Sequence, residues 1–141
     1  MLVSNEIVVA RPLEAVFDAA TTAKYWPQWH PATLGVEGQI DRPARLGDVI
    51  IERVQLGPRA GEGAWTVVAD ERPHRLTLEA NVELGHLTIT YTAEATPEGT
   101  RFRRDLVYPD LGPQMEEIMR TQSAVGMANL KALLERQIPA V

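Results

Sequence analysis

Arg104 occupies a position in this chain that asks for a chemical partner. Alternation through the run Thr100 to Tyr108 puts Phe102, Arg104, Leu106 and Tyr108 on one face, and Arg101, Arg103, Asp105 and Val107 on the other. An arginine on an otherwise apolar, inward face must be paired, because an isolated buried charge is prohibitively costly. Glu52 or Glu79 would serve, and so would an anionic ligand; the alternative is a register in which Arg104 snorkels to the rim. In the preceding run, Leu87, Ile89, Tyr91 and Ala93 share a face, so Tyr91 and Tyr108 can both bring hydroxyls into an interior. There they would orient polar ligand groups or polarise a carbonyl, or else fill the core with the hydroxyl reaching the surface. Tyr25, Trp26, Trp29 and His30 form the densest aromatic cluster in a chain with 6% aromatic residues. They read either as a lid whose rings touch a ligand or as anchors for two short helices. His30 has the pKa range of a general acid or base, or is an ordinary histidine at a helix end.

The longest element that could position these groups is a helix from Pro113 to Gln137. Pro113 suits the first helical position, Glu116 and Glu117 suit the positive end of the helix dipole, and Pro139 disfavours helical geometry at Ile138. At 100° per residue, Met115, Ile118, Met119, Leu130 and Leu133 form one stripe, with Glu117, Arg120, Lys131 and Glu135 opposite. Gln122, Gly126 and Asn129 interrupt the middle of the inward stripe. Small and polar groups there imply a space that something else occupies, reached from outside near Trp26 to Pro31.

The rest of the chain supplies a sheet for this helix to pack on. Ser4 to Ala10 reads as a strand, followed by a helix from Leu13 to about Ala20 and a second short helix that Thr21 or Thr22 can cap. Leu34 to Ile40 is a weak strand. Five more follow at Asp48–Leu56, Ala64–Ala69, Arg75–Val82, His86–Ala95 and Thr100–Tyr108, joined by Gly- and Pro-rich turns. Gly57-Pro58 with Gly61 and Gly63 reads as one loose turn. Six or seven antiparallel strands around one helix enclose more volume than that helix fills, which predicts a cavity.

With 141 residues and no long linker, residues 1–141 are expected to form one domain. A net charge of −5 argues against nonspecific nucleic-acid binding. No cysteine is present, so no disulfide or thiolate metal site is open to this chain. No run approaches the roughly 20 apolar residues of a membrane span, and Met1 to Ala10 is too short and too interrupted for a signal peptide. Cytoplasmic location without stable membrane insertion is the expectation. His30, His74 and His86 show no ligand spacing, so neither a metal nor a cofactor is expected.

Several motifs together resemble the SRPBCC superfamily. The run Ile7-Val8-Val9-Ala10-Arg11-Pro12-Leu13-Glu14-Ala15-Val16-Phe17 resembles its opening strand, turn and helix. Trp29 with Pro31, the turn Arg72-Pro73-His74-Arg75-Leu76 and the turn Glu98-Gly99-Thr100-Arg101 are similar to its later landmarks. The polyketide cyclase/dehydrase-like branch, related to the birch-pollen-allergen and START lipid-transfer proteins, is the nearest in kind. The resemblance implies an α+β helix-grip fold: a curved antiparallel sheet of about seven strands wrapped around a long C-terminal helix, with two short helices after the first strand. It also implies three functional classes. The first is binding of a small hydrophobic or amphipathic molecule between sheet and helix. The second is a cyclase or dehydratase in which Tyr91, Tyr108 or Arg104 stabilises enolate charge. The third is a chaperone-cofactor-like interaction module. Candidate cavity residues are Trp26, Trp29, His30, Tyr91, Arg104, Tyr108, Gln122, Gly126 and Asn129, with no catalytic residue assigned. The expected partner is a small hydrophobic molecule, and the fold leaves room for a homodimer.

Overall fold

The computed structural model describes residues 1–137, so Ile138 and Pro139, expected to end the last helix, lie outside the described residues. Strand β1 (Leu2–Val9) leads into helix α1 (Leu13–Thr21), a 3-10 turn (Ala23–Tyr25) and the single-turn helix α2 (Trp26–Trp29). Strands β2 (Thr33–Gly38), β3 (Val49–Leu56), β4 (Arg59–Glu71), β5 (Arg75–Val82), β6 (Gly85–Thr96) and β7 (Gly99–Val107) follow, and helix α3 (Pro113–Gln137) closes the chain. All seven strands form one antiparallel sheet in the order β1-β7-β6-β5-β4-β3-β2, curled around α3 in the helix-grip arrangement. Hairpins make every connection from β2 to β7, and β1 reaches β7 because the chain detours through the two helices.

Alternation decides which side chains face α3. On β7, Phe102, Arg104 and Leu106 are buried while Arg101, Arg103 and Val107 are exposed. On β6, Leu87, Ile89, Tyr91 and Ala93 are buried, and Tyr91 stacks on Phe102 with ring centroids 5.6 Å apart. From α3, Met119, Met127, Leu130, Leu133 and Leu134 complete the core. Gly99 has φ +138°, and a β-carbon there would collide with the Val9 carbonyl oxygen, so the β6–β7 turn requires glycine.

The free edge of β1 would expose a row of unpaired backbone groups. Helix α3 covers it with polar side chains. Lys131 Nζ donates to the Val8 carbonyl, Arg120 Nη2 to that of Leu2 at 3.3 Å, and Glu135 Oε2 accepts from Ala10 N at 2.9 Å. The face of α3 read as outward is therefore a strand-edge cap.

Three local expectations differ from the structure. Thr21 and Thr22 do not cap the second short helix; their hydroxyls donate back to the carbonyls of Phe17 and Asp18, at 2.8 and 2.6 Å. Such i−4 bonds satisfy a hydroxyl locally at a helix end. The loose turn expected across residues 57–63 is a tight one at Gly57-Pro58, and Gly61 and Gly63 lie within β4, paired with Val54 and Glu52. Strand β2 starts at Thr33 and stops at Gly38, where φ is +108°. No helix among the described residues is long and apolar enough to cross a membrane.

Candidate functional site

Between the sheet and the first half of α3 lies a cavity of about 140 Å3. Its inner end is formed by His30, Ala32, Glu52, Trp65, Ile89 and Arg104, and its walls by Val54, Leu87, Leu106 and Met119. The outer end is lined by Arg59 to Glu62, all exposed, and by Glu83. The opening thus lies between the β3–β4 and β5–β6 hairpins, whose tips are linked by an ion pair between Arg59 and Glu83 at 3.7 Å. It does not lie near Trp26 to Pro31, as the sequence suggested, because Trp26 and Trp29 are 4% and 2% exposed and close that end.

One glycine leaves room at the outer end of this space. Gly61 and Gly63 share the inward face of β4 with Trp65; a β-carbon at Gly61 would meet only Val54, at 3.9 Å, whereas one at Gly63 would lie 2.8 Å from Val82 Cγ1, so Val82 packs into that position. Glu52 reaches the cavity by the same alternation, between Ile50 and Val54 on β3.

Arg104 is 5% exposed. Its Nη1 donates to Ser123 Oγ at 3.1 Å, and Ser123 in turn donates to Asn5 Oδ1 at 2.6 Å. Its Nη2 donates to His30 Nε2 at 3.4 Å, and Nε is buried without a partner. Tyr91 stands opposite Arg104 in the β6–β7 ladder. Burial raises the Tyr91 pKa, and the guanidinium opposes that rise.

A hydrogen-bonded chain runs from this arginine to the carboxylate. Thr33 Oγ1 donates to Glu52 Oε2 at 2.6 Å and lies 3.3 Å from His30 Nδ1; Trp65 Nε1 donates to Glu52 Oε1 at 3.0 Å. With the threonine proton spent on the carboxylate, His30 must donate from Nδ1 and accept at Nε2. The network therefore assigns a neutral imidazole. Burial, and then the Arg104 charge, lower the His30 pKa to about 3. Burial raises the Glu52 pKa, against the pull of Thr33, Trp65 and Arg104. The cavity end thus holds a fixed cation, a neutral imidazole and a carboxylate that resists ionisation.

The depressed His30 pKa has a consequence for stability. The unfolded chain takes up a proton near pH 6.5 that the folded chain refuses until about pH 3. Stability from this group is complete above the unfolded value and falls as pH drops below it. Between pH 7 and 5 the loss is about 2 kcal/mol, at 1.36 kcal/mol per pH unit. Glu52 works in the opposite sense, since the folded chain binds its proton first. Melting temperatures of wild type and a His30→Gln variant across pH 5 to 7 isolate the histidine; the wild type is expected to lose more.

Of the residues singled out from the sequence, His30, Arg104 and Gln122 line the cavity, whereas Trp26, Trp29, Tyr91, Tyr108, Gly126 and Asn129 do not. Trp26 is buried and its Nε1 donates to the Ala20 carbonyl at 3.0 Å. Trp29 meets His30 edge to face, and Asn129 Nδ2 donates to the Trp29 carbonyl at 3.1 Å. Tyr108 is buried near the start of α3, where burial and Glu116 raise its pKa. Glu79 sits on the opposite side of the sheet, 3.8 Å from His86. Gln122 Nε2 donates to the Gln55 carbonyl at 3.4 Å, and its Oε1 is buried without a partner. Among the described residues no three His, Cys, Asp or Glu side chains converge as a metal site would need.

Gly126 has a packing explanation in place of the expected void. A β-carbon there would lie 3.4 Å from both His30 Cδ2 and Pro31 Cδ, so the helix approaches the α2–β2 connection closely at this point. Gly126→Leu is expected to destabilise by about 1–3 kcal/mol through overpacking, seen as a lower denaturation midpoint, while the cavity stays unfilled.

Sequence and structure comparisons agree on the company this chain keeps. Residues 2–135 match the family described as polyketide cyclase / dehydrase and lipid transport. A Streptomyces cyaneus protein named "Putative polyketide cyclase" is 26% identical over 145 residues, covering 93% of this chain and 91% of its own length. A Streptomyces halstedii protein of the same name is 31% identical over 105 residues, covering 70% of this chain and 93% of its own. The solved structure of the ZhuI aromatase/cyclase from Streptomyces sp. R1128 superposes with a TM-score of 0.77 at 15% identity, over 99% of this chain and 96% of that one.

Proposed function

The chain belongs to the polyketide cyclase / dehydrase and lipid transport family, and from that premise we propose that it binds a small amphipathic molecule in the cavity between sheet and α3. The apolar part of the ligand lies along Leu87, Ile89, Leu106 and Met119, and a carbonyl oxygen points to Arg104. The observation that carries this reading is the state of Arg104: buried at the inner end of an apolar cavity and, among the described residues, without an ion-pair partner and with Nε unbonded. Calorimetric titration with acetophenone, the simplest probe with these features, is expected to give saturable one-to-one binding. Ile89→Phe, which fills the cavity wall, should abolish it while the protein remains folded. Absence of binding, or binding indifferent to Ile89→Phe, would overturn the reading.

A second reading is favoured by the Glu52–Thr33–His30 chain, and it is that of an enzyme acting on an enolisable carbonyl. Arg104 would hold the carbonyl oxygen and stabilise the developing enolate, while Glu52 takes a proton from the neighbouring carbon and returns it. Thr33 and Trp65 orient the carboxylate for that exchange. Deuterium uptake at the methyl group of acetophenone in heavy water, followed by NMR, is expected to be accelerated by wild type and not by Glu52→Gln. Equal rates with the two proteins would remove this reading.

A further inference from the structure

Arg104 puts a positive charge in the cavity wall that, among the described residues, no carboxylate pairs with. Its Nη1 and Nη2 donate to the neutral side chains of Ser123 and His30, at 3.1 and 3.4 Å. Each terminal nitrogen carries a pair of hydrogens and spends one of them there, so donor capacity remains. A buried charge without a counter-charge is costly, and a ligand that brings the opposite charge removes that cost. The outer charges of the wall do not supply it. Arg59, Glu62 and Glu83 are exposed at the mouth, where Arg59 pairs with Glu83 at 3.7 Å.

Glu52 is the carboxyl at the inner end, and its surroundings favour the neutral form. Burial, the first cause of its raised pKa, outweighs the pull of Thr33, Trp65 and Arg104. Both of its oxygens already receive a hydrogen bond, one from Thr33 Oγ1 and one from Trp65 Nε1. A proton on this carboxyl therefore meets donors at both bonded neighbours. Glu52 also keeps accessible surface although it stands inside the fold, and it belongs to the cavity wall. The cavity is the direction left for that proton. The inner end thus offers a guanidinium and a carboxyl O–H, which are two donors with a net positive charge. A carboxylate brings one negative charge and two acceptor oxygens to match. Volume limits what carries it. An apolar cavity of roughly 150 Å3 holds one benzene ring, and this one measures about 140 Å3.

We propose that the cavity takes a one-ring monocarboxylate as its anion, with one oxygen accepting from Arg104 and the other from the Glu52 carboxyl. This rests on the cavity-binding reading above and narrows its ligand to an acid. Neutral ketones and amides of the same size are then the weaker ligands.

The test is a calorimetric series at pH 7 with benzoate, its neutral isostere benzamide, acetophenone and 2-naphthoate. Wild type is expected to bind benzoate about tenfold more tightly than benzamide or acetophenone, the difference between a charged and a neutral hydrogen bond. The naphthoate should bind at least about tenfold more weakly than benzoate. Arg104→Gln, which keeps a donor but no charge, should abolish the preference of benzoate over benzamide. Carboxyl-carbon NMR of the wild-type complex gives a second readout. The bound benzoate carbon is expected at the position of an ionised carboxylate. The Glu52 carbon, identified by its absence from the Glu52→Gln spectrum, is expected at that of a protonated acid. Equal binding of benzoate and benzamide, a preference that survives Arg104→Gln, or tighter binding of the fused ring would overturn the proposal. So would a protonated ligand or an ionised Glu52 in the complex. If acetophenone binds and benzoate shows no advantage, the ligand class falls and the cavity reading stands. If none of the four binds, both fall.

Discussion

Arg104→Leu is expected to weaken acetophenone binding by roughly 10- to 100-fold, the worth of a hydrogen bond to a charged group, while leaving the protein folded. The two halves of this expectation have separate causes. Binding falls because the guanidinium is the strongest donor at the cavity end, and Leu offers none. Stability is retained because, among the described residues, no carboxylate is ion-paired with Arg104 to be stranded by its loss. Glu52 keeps its bonds from Thr33 and Trp65, and with its pKa already raised by burial it can take up a proton. Ser123 keeps its bond to Asn5. Titration calorimetry and thermal melts of the same preparations check both halves. A variant that melts far below wild type would mean that Arg104 serves the fold, and unchanged affinity would mean that the ligand does not reach it.

Trp29→Ala is expected to have the largest effect on stability, about 3–5 kcal/mol, as is typical when a fully buried tryptophan is removed. Trp29 is 2% exposed, meets the His30 ring edge to face at 5.9 Å, and sits where α2 packs on α3. For a chain of this length the loss corresponds to roughly 10 °C or more in melting temperature. It should also loosen His30, the neighbour of Arg104, and so weaken ligand binding as a secondary effect. A melting temperature within a few degrees of wild type would show that the α2 segment is not the closed end of the cavity.

The inward face of β7 was legible in the sequence because its period is unbroken. Phe102, Arg104 and Leu106 alternate with charged or exposed residues, and the structure buries all three. The same rule applied to β3 places Glu52 between Ile50 and Val54, yet a carboxylate on an apolar face looks like an exception until its partners are known. Those partners, Thr33 and Trp65, come from two other strands, and nothing in local spacing joins them. Gly61 and Gly63 were read as turn residues because glycine clusters usually are. Their alternation with Trp65 was the signal that they belong to a strand, with room left at Gly61 and Val82 packed against Gly63. At Gly126 the helical stripe gave the correct face of α3 but not what covers it. His30 and Pro31 fill that space, so the cavity lies nearer the start of the helix, at Met119 and Gln122. Periodicity fixes a direction from each helix; only the packing of the connection after α2 fixes what stands there.

The central claim is that a small carbonyl compound enters between the β3–β4 and β5–β6 hairpins and stops at Arg104. Backbone and methyl NMR spectra of the wild-type protein, titrated with acetophenone, test it most directly. The account predicts saturable shifts confined to Ala32, Val54, Leu87, Ile89, Leu106 and Met119, with Arg104 Nε–H moving in step. Shifts confined to outward-facing positions such as Leu34, Leu46 and Val125, or no saturable shift at all, would contradict it.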